Sequence, residues 1–288
     1  MSLDQQIDQL INPLARGLSD IIFYQINIFG QGFPLIVLWL VSAAVFFTCY
    51  LGFINIRGFS KAISIVSGKN GKSSGPGEIS HFQALSTAIS GTVGVGNIGG
   101  VAVAISIGGP GAAFWLFMAG FLGMSTKFVE CTLGVKYRRH NPDGSVSGGP
   151  MYYLERYLLD RGFPQLGKLL GGFYALALVI GCFGIGNMFQ SNQAYVQVLG
   201  ITGGENSFFA DKGWLFGLLL GGAVAAVIIG GIRSIASVAS KIVPFMAVLY
   251  VFSAVLIIAM SSEHVVGAIT LIISSAFETS SMTGGAIG

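Results

Sequence analysis

Charge is what this sequence has least of. Only 9% of its 288 residues are charged, and 53% are hydrophobic. A soluble domain carries about 25% charged residues. No single core of this size hides so much apolar surface, so lipid is the expected solvent. The net charge of +3 is too small to indicate a nucleic-acid partner. Cysteine is also scarce: Cys49, Cys131 and Cys182 are odd in number and lie inside apolar runs. They read as small buried hydrophobes rather than a disulfide framework or metal ligands. Enzyme signals are missing as well. An intramembrane aspartyl protease needs paired aspartates within its spans, but Asp4, Asp8, Asp20, Asp143, Asp160 and Asp211 all fall outside the apolar runs. There is no Gly-x-Ser-Gly and no histidine pair at metal spacing, so the chain is not expected to be an enzyme. Residues 1–30 lack the basic start and apolar core of a cleavable leader.

What the chain does have is glycine, 43 residues of it, and long apolar runs. Small residues let membrane helices approach closely. A span needs about 20 mostly apolar residues. Such runs occur near 34–55, 79–107, 111–135, 169–199, 213–232 and 242–260, and a seventh begins near 264. Ahead of them Leu3, Ile7, Leu10, Ile11, Leu14, Leu18, Ile21 and Ile22 recur at helical spacing, as in an interfacial amphipathic helix. The expected organisation is an amphipathic segment over 1–32, a lone transmembrane helix over 33–56, a five-helix unit over 78–262, and a further segment from 263 to 288. With the N-terminus outside, twelve of the fifteen basic residues fall in cytoplasmic loops, including Arg233 and Lys241 between two spans. The positive-inside rule favours that orientation, in a multi-pass protein of the cytoplasmic (inner) membrane. Lys127 and Glu130 are one helical turn apart inside a span. They fit an ion pair with a snorkelling lysine, or a gating pair.

The most informative stretch is Gly91-Thr92-Val93-Gly94-Val95-Gly96-Asn97-Ile98-Gly99-Gly100. Five glycines in ten residues, mid-span, make a helix break, because each interior glycine costs about 1 kcal/mol relative to alanine. A break frees carbonyls that suit a cation and amides that suit a carboxylate. The alternative use of these glycines is close helix packing, for example through Gly96 and Gly100. Gly94 to Gly99 also matches the dinucleotide pattern G-x-G-x-x-G, but no strand precedes it and the next acid is Glu130. A second polar concentration, Asn187, Gln190, Ser191, Asn192 and Gln193, lies in the run 169–199. In one continuous helix, Asn187, Gln190, Ser191 and Ala194 share a face. That face serves either inter-helix hydrogen bonding or a ligand. A third interruption, Phe277 to Gly285, contains Glu278, either a buried functional carboxylate or a loop residue.

An ordered set of motifs ties these features together. Gly77-Glu78-Ile79-Ser80, Phe82-Gln83-Ala84-Leu85, Gly91-Thr92-Val93-Gly94 and Gly96-Asn97-Ile98 come first. Gly108-Gly109-Pro110-Gly111-Ala112-Ala113-Phe114-Trp115, Lys127-Phe128-Val129-Glu130 and Ser147-Gly148-Gly149-Pro150-Met151-Tyr152-Tyr153 follow. Together they resemble the alanine/glycine:cation symporter family, densely over 77–155 and loosely elsewhere. Ala113, Leu116 and Phe117 depart from the family pattern. The family's later Ser-Asn-Glu-Ala-Gly segment does not occur here, so the resemblance implies the N-terminal portion of a longer protein.

The resemblance implies an all-α polytopic membrane protein with a five-plus-five inverted-repeat fold, whose first core helix is broken. It implies symport of a small neutral amino acid, alanine or glycine, with sodium as the coupling ion. The implied substrate contacts are Thr92, Val95, Gly96, Asn97, Asn187 and Gln190, with the Val95 and Gly96 amides holding the carboxylate. Ser90, Thr92, Val93 and Asn97 are the implied sodium ligands. Proton coupling through Glu78, His81 or Glu278 is the rival within transport. A pore or a structural bundle is the rival outside it.

Overall fold

The computed structural model describes residues 12–13, 16–28, 31–69, 79–184 and 187–287. Helices dominate, joined by two short antiparallel hairpins, β1 (Gln25–Ile28) with β2 (Gln31–Pro34) and β3 (Arg139–His140) with β4 (Val146–Ser147). The described residues group into two compact units. One comprises the described residues within 1–58, 98–128 and 261–288, and the other those within 59–97 and 129–260.

The first unit contains α1 (residues 16–22), the β1–β2 hairpin, α2 (Leu35–Tyr50), α3 (Ile54–Arg57), α6 (Val101–Gly108), the first part of α7 (Ala112–Lys136), α13 (Ser262–Ser275) and α14 (Thr279–Ile287). The expected amphipathic helix is only partly testable: Leu3, Ile7, Leu10, Ile11 and Leu14 lie outside the described residues. Leu18, Ile21 and Ile22 do lie on a helix with their side chains exposed, and the β1–β2 hairpin follows where no strand was expected. The run 34–55 is not one helix. It stops at Tyr50, because Gly52 (φ 59°) and Phe53 (φ 58°) turn left-handed. The Gly52 amide donates to the Cys49 carbonyl and the Phe53 amide to that of Thr48. These are the two bonds of a Schellman stop. At α6 and α14 the backbones meet. A Cβ on Gly108 would lie 2.6 Å from the Gly284 Cα, and the Ser281 hydroxyl donates to the Gly108 carbonyl at 2.8 Å. Thr48 and Ser125, both fully buried, join α2 to α7 through a hydroxyl bond of 3.0 Å. The Trp115 indole donates to the Ala276 carbonyl at 2.6 Å.

The second unit holds α4 (Phe59–Val66), α5 (His81–Thr92), the end of α7, the β3–β4 hairpin, α8 (Pro150–Asp160), α9 (Pro164–Gly184), α10 (Met188–Ile201), α11 (Gly213–Ile228) and α12 (Gly231–Met260). Helix α5 packs on α12, where Ser86, Ala236, Ala239 and Val243 are buried. Arg233 and Lys241, expected in a loop, stand instead on α12, because helix resumes at Gly231 directly after α11.

The run 169–199, expected as one span, is two helices. A continuous helix over 164–201 would extend roughly 57 Å, about twice the hydrocarbon thickness of a bilayer. The chain divides it instead at Asn187, beside Gly184 and Gly186 in the sequence.

Among the described residues three helices are long and apolar enough to cross a membrane alone: Ala112–Lys136, Pro164–Cys182 and Gly231–Met260. Two bent pairs qualify together, His81–Thr92 with Gly96–Gly108, and Ser262–Ser275 with Thr279–Ala286, the latter bent by 95°. Helices α2 and α11 are apolar but have 16 residues each, about 24 Å, shorter than the spans expected there. Among the described residues the buried hydrophobic ones are six alanines and Val243, whereas Phe245 is 70% exposed and Ile229 85%. Small residues inside and large apolar residues outside are the arrangement of an all-α, multi-pass membrane protein, in which helices approach through small side chains and lipid faces the large ones.

Candidate functional site

Helix α5 begins with a reciprocal cap. The Ser80 hydroxyl accepts the Gln83 amide at 3.2 Å, and Gln83 Oε1 accepts the Ser80 amide at 3.0 Å. The helix ends at Thr92, and Val93 is extended (φ −92°, ψ 112°). A π-helical turn, Gly96–Gly100, then leads into α6. The expected break is therefore present, at Val93 and Gly94.

Close packing, the rival use of these glycines, is not seen among the described residues at three of them. A Cβ on Gly91, Gly96 or Gly100 would meet nothing within 4 Å.

The hydrogen bonds at the break show which groups it releases. In an uninterrupted helix the Gly94 amide would donate to the Ser90 carbonyl, and the Asn97 amide to the Val93 carbonyl. Here the Gly94 amide donates to Asn97 Oδ1 at 3.1 Å, and the Asn97 amide to the Gly94 carbonyl at 3.1 Å. Both donors are diverted, so the Ser90 and Val93 carbonyls lose their helical partners. The Thr92 hydroxyl donates to the Ala88 carbonyl at 2.8 Å, which leaves its oxygen as an acceptor. Gly94 thus stands as the N-cap of the second half-helix, with Asn97 at its third position. Val95 and Gly96 are the first two residues of that half-helix, where amides have no intrahelical acceptor.

The oxygens of Ser90, Thr92, Val93 and Asn97 are neutral and hard, the donor type that suits a hard cation. Asn97 Oδ1 keeps a second lone pair beside its bond to Gly94. Amides at a half-helix start suit an anion such as a carboxylate. Both kinds of group lie within one short stretch of chain.

Gln190 reaches this break from α10. A Cβ on Gly94 would lie 2.8 Å from Gln190 Nε2, so only glycine leaves room for the carboxamide there. Helix α10 is anchored one turn further on. The Tyr195 hydroxyl donates to the carbonyls of Phe209 (2.8 Å) and Ala210 (3.1 Å) in the segment before α11.

Asn187 is different. It is the N-cap of α10, where its carbonyl accepts the Ser191 amide at 2.9 Å, and its Nδ2 donates to the Cys182 carbonyl at 2.8 Å. It caps the end of α9. The sequence reading missed this role because it took 169–199 as continuous; Gly184, Gly186 and Asn187 in near succession were the available signal.

Glu278 occupies the second bend, between α13 and α14. Its carbonyl accepts the amides of Ser281 (3.1 Å) and Met282 (3.2 Å), which makes it the N-cap of α14. Glu78, expected as a possible proton carrier, lies outside the described residues. His81 is the first residue of α5.

Known proteins match along nearly the whole chain. The family model described as the sodium:alanine symporter family matches residues 17–288. The sodium/alanine symporter AgcS of Methanococcus maripaludis is 41% identical over 263 residues, 91% of this chain and 56% of that protein. An uncharacterized transporter of Haemophilus influenzae is also 41% identical over 263 residues, 91% of this chain and 54% of its own length. The amino-acid carrier protein AlsT of Bacillus subtilis is 31% identical over 249 residues, 86% of this chain and 50% of its own length. The chain thus spans about half the length of the curated relatives it matches. A match of this extent decides membership: the chain belongs to the sodium:alanine symporter family, a family of transporters and not of enzymes.

Proposed function

We propose that this chain is the N-terminal portion of a secondary active symporter that carries a small neutral amino acid, alanine or glycine, together with sodium across the cytoplasmic membrane. The observation that carries the reading is the approach of Gln190 to the break at Gly94, where two diverted amides release two carbonyls. Sodium takes the oxygens of Ser90, Thr92, Val93 and Asn97. The substrate carboxylate takes the amides of Val95 and Gly96, and Gln190 meets the rest of the substrate. Coupling requires that the two ligands together favour one state of the protein over the other. The name of AgcS, a sodium/alanine symporter, supports the same pair of ligands.

The organisation we propose is a lone transmembrane segment over 33–56, whose main helix is α2, a first five-helix repeat over 78–262, and the start of a second repeat from 263. Its support is that each repeat then opens with a bent helix pair, 81–108 and 262–286. The N-terminus lies outside on this reading.

The test is uptake of labelled L-alanine into proteoliposomes by the full-length protein, with and without an inward sodium gradient at fixed pH. Accumulation only with sodium is expected, and equal accumulation in potassium overturns sodium coupling. A second reading, proton coupling, is favoured by the position of Glu278 at the second bend. It requires uptake driven by a proton gradient without sodium and abolished by Glu278→Gln.

A further inference from the structure

The connection from α7 to α9 has no part in the site above, yet with the end of α7 it gathers several basic residues into one place. Helix α7 is a candidate membrane span that ends at Lys136, and the span of α9 starts at Pro164. Residues 137–163 therefore join two spans and lie at a polar face of the bilayer. In this connection the end of α7, the start of the hairpin and α8 enclose an open cleft of about 800 Å³. Its lining includes four permanent cations, Lys136, Arg138, Arg139 and Arg156, against two carboxylates, Glu155 and Asp160. One carboxylate is already engaged: Glu155 pairs with Arg139 at 3.6 Å. The cleft keeps a net positive charge.

Aromatic rings lie beside these cations. The Lys136 ammonium lies 5.3 Å from the centre of the Tyr137 ring, and the Arg139 guanidinium 5.6 Å from that of Tyr152. Arg161, at the end of α8, lies 5.2 Å from the centre of the Tyr157 ring. Tyrosines are enriched where a membrane meets water. Helix α8 is clamped on α9 by close backbone approach, since a Cβ on Gly167 would lie 2.8 Å from the Glu155 carbonyl oxygen. The basic surface is therefore fixed to a span rather than carried on a free loop.

We propose that this cleft binds the phosphate headgroup of an anionic phospholipid and so ties the α7–α9 connection to the membrane surface. Four basic residues beside a span are the pattern that recognises such headgroups. The bilayer presents phosphodiester anions at the depth where α7 ends. The exposed side chains of Lys136 and Arg156 supply the attraction, and the tyrosines set the depth.

The test is native mass spectrometry of the detergent-solubilised full-length protein, titrated with phosphatidylglycerol or with phosphatidylcholine of the same acyl chains. Wild type is expected to retain phosphatidylglycerol preferentially. Lys136→Gln/Arg156→Gln is expected to lose that affinity, by about five-fold for each charge removed. Lys136→Arg/Arg156→Lys, which keeps both charges, is expected to retain it. Lys61→Gln/Lys69→Gln removes the same charge outside the cleft and is expected to behave as wild type. Equal retention of the two lipids by wild type, or equal losses in the cleft and control variants, overturns the proposal. So does displacement of phosphatidylglycerol by an equal concentration of inorganic phosphate, which would make the cleft a soluble-anion site.

Discussion

The carboxamide of Gln190 fills the space where any side chain larger than hydrogen at Gly94 would have to go. The hypothetical Cβ would sit 2.8 Å from Nε2, well inside ordinary van der Waals contact. Two residues nearly a hundred positions apart are thereby brought to one point of the broken helix.

Gly94→Ala tests this contact. The obstructing atom is the end of a flexible side chain, so the variant is expected to fold and reach the membrane while the carboxamide is pushed aside. Misplacing a binding group by a fraction of an ångström lowers uptake on the order of ten-fold. In a double-mutant cycle, adding Gly94→Ala to Gln190→Ala is expected to cost little more. Fully additive losses in alanine uptake would show that the two residues act separately.

Asn97 holds the shape of the break by accepting the Gly94 amide at 3.1 Å. Asn97→Ala removes that acceptor, a loss of about 0.5–1.5 kcal/mol, together with a proposed sodium ligand. A right-shifted sodium activation curve and weaker alanine uptake are expected. Asn97→Asp keeps the acceptor oxygen and should preserve more of the activity. Sodium activation unchanged in the alanine variant would remove Asn97 from the cation site.

Gly108→Ala addresses packing in the other unit. Its Cβ would meet the Gly284 Cα at 2.6 Å and the Ser280 carbonyl oxygen at 2.8 Å, both backbone atoms that cannot swing away. Overpacking of this kind costs about 1–3 kcal/mol, so a lowered melting temperature in detergent is expected. Gly120→Ala is the control, since its Cβ meets nothing within 4 Å and alanine favours helix. A melting temperature for Gly108→Ala equal to that of the control would contradict the backbone contact.

Asp143 gives a pH effect outside the membrane spans. The Ser145 hydroxyl and amide, each donating to its carboxylate, hold its pKa below the ordinary value. A depressed carboxylate stabilises its turn above the unfolded value of about 3.9 and loses that contribution as pH falls through the lower folded value. Protection of the Ser145 amide against hydrogen exchange, taken relative to its intrinsic rate at each pH, is expected to be constant near neutral pH and to fall below about pH 4. Asp143→Asn should remove that acid step. An acid step that persists in the variant would assign it to another group.

The break was legible because its cause is local. Five glycines in ten residues depress helix propensity wherever they fall, and the helix is interrupted among them. The membrane class was legible for a similar reason, since composition alone sets the solvent an apolar chain needs. The interruption at Asn187 was harder to read, because the amides of 187–193 fit one polar face of a continuous helix as well as a break. Hydropathy records what tolerates lipid and not where the backbone turns. The stop at Gly52 and Phe53 was hidden in the same way, inside a run that stays apolar past the helix end.

By itself, then, the sequence determined the apolar spans, the glycine break and the polar groups available there, because these follow from residue type and short-range spacing. Only the tertiary structure decided that Gln190 meets the break, that Gly108 and Gly284 touch, and that the basic residues around α8 line a single cleft. Each of these depends on which helices pack together and where α9 gives way to α10. Those choices come from close-packing between segments distant in the chain, which local propensity does not encode.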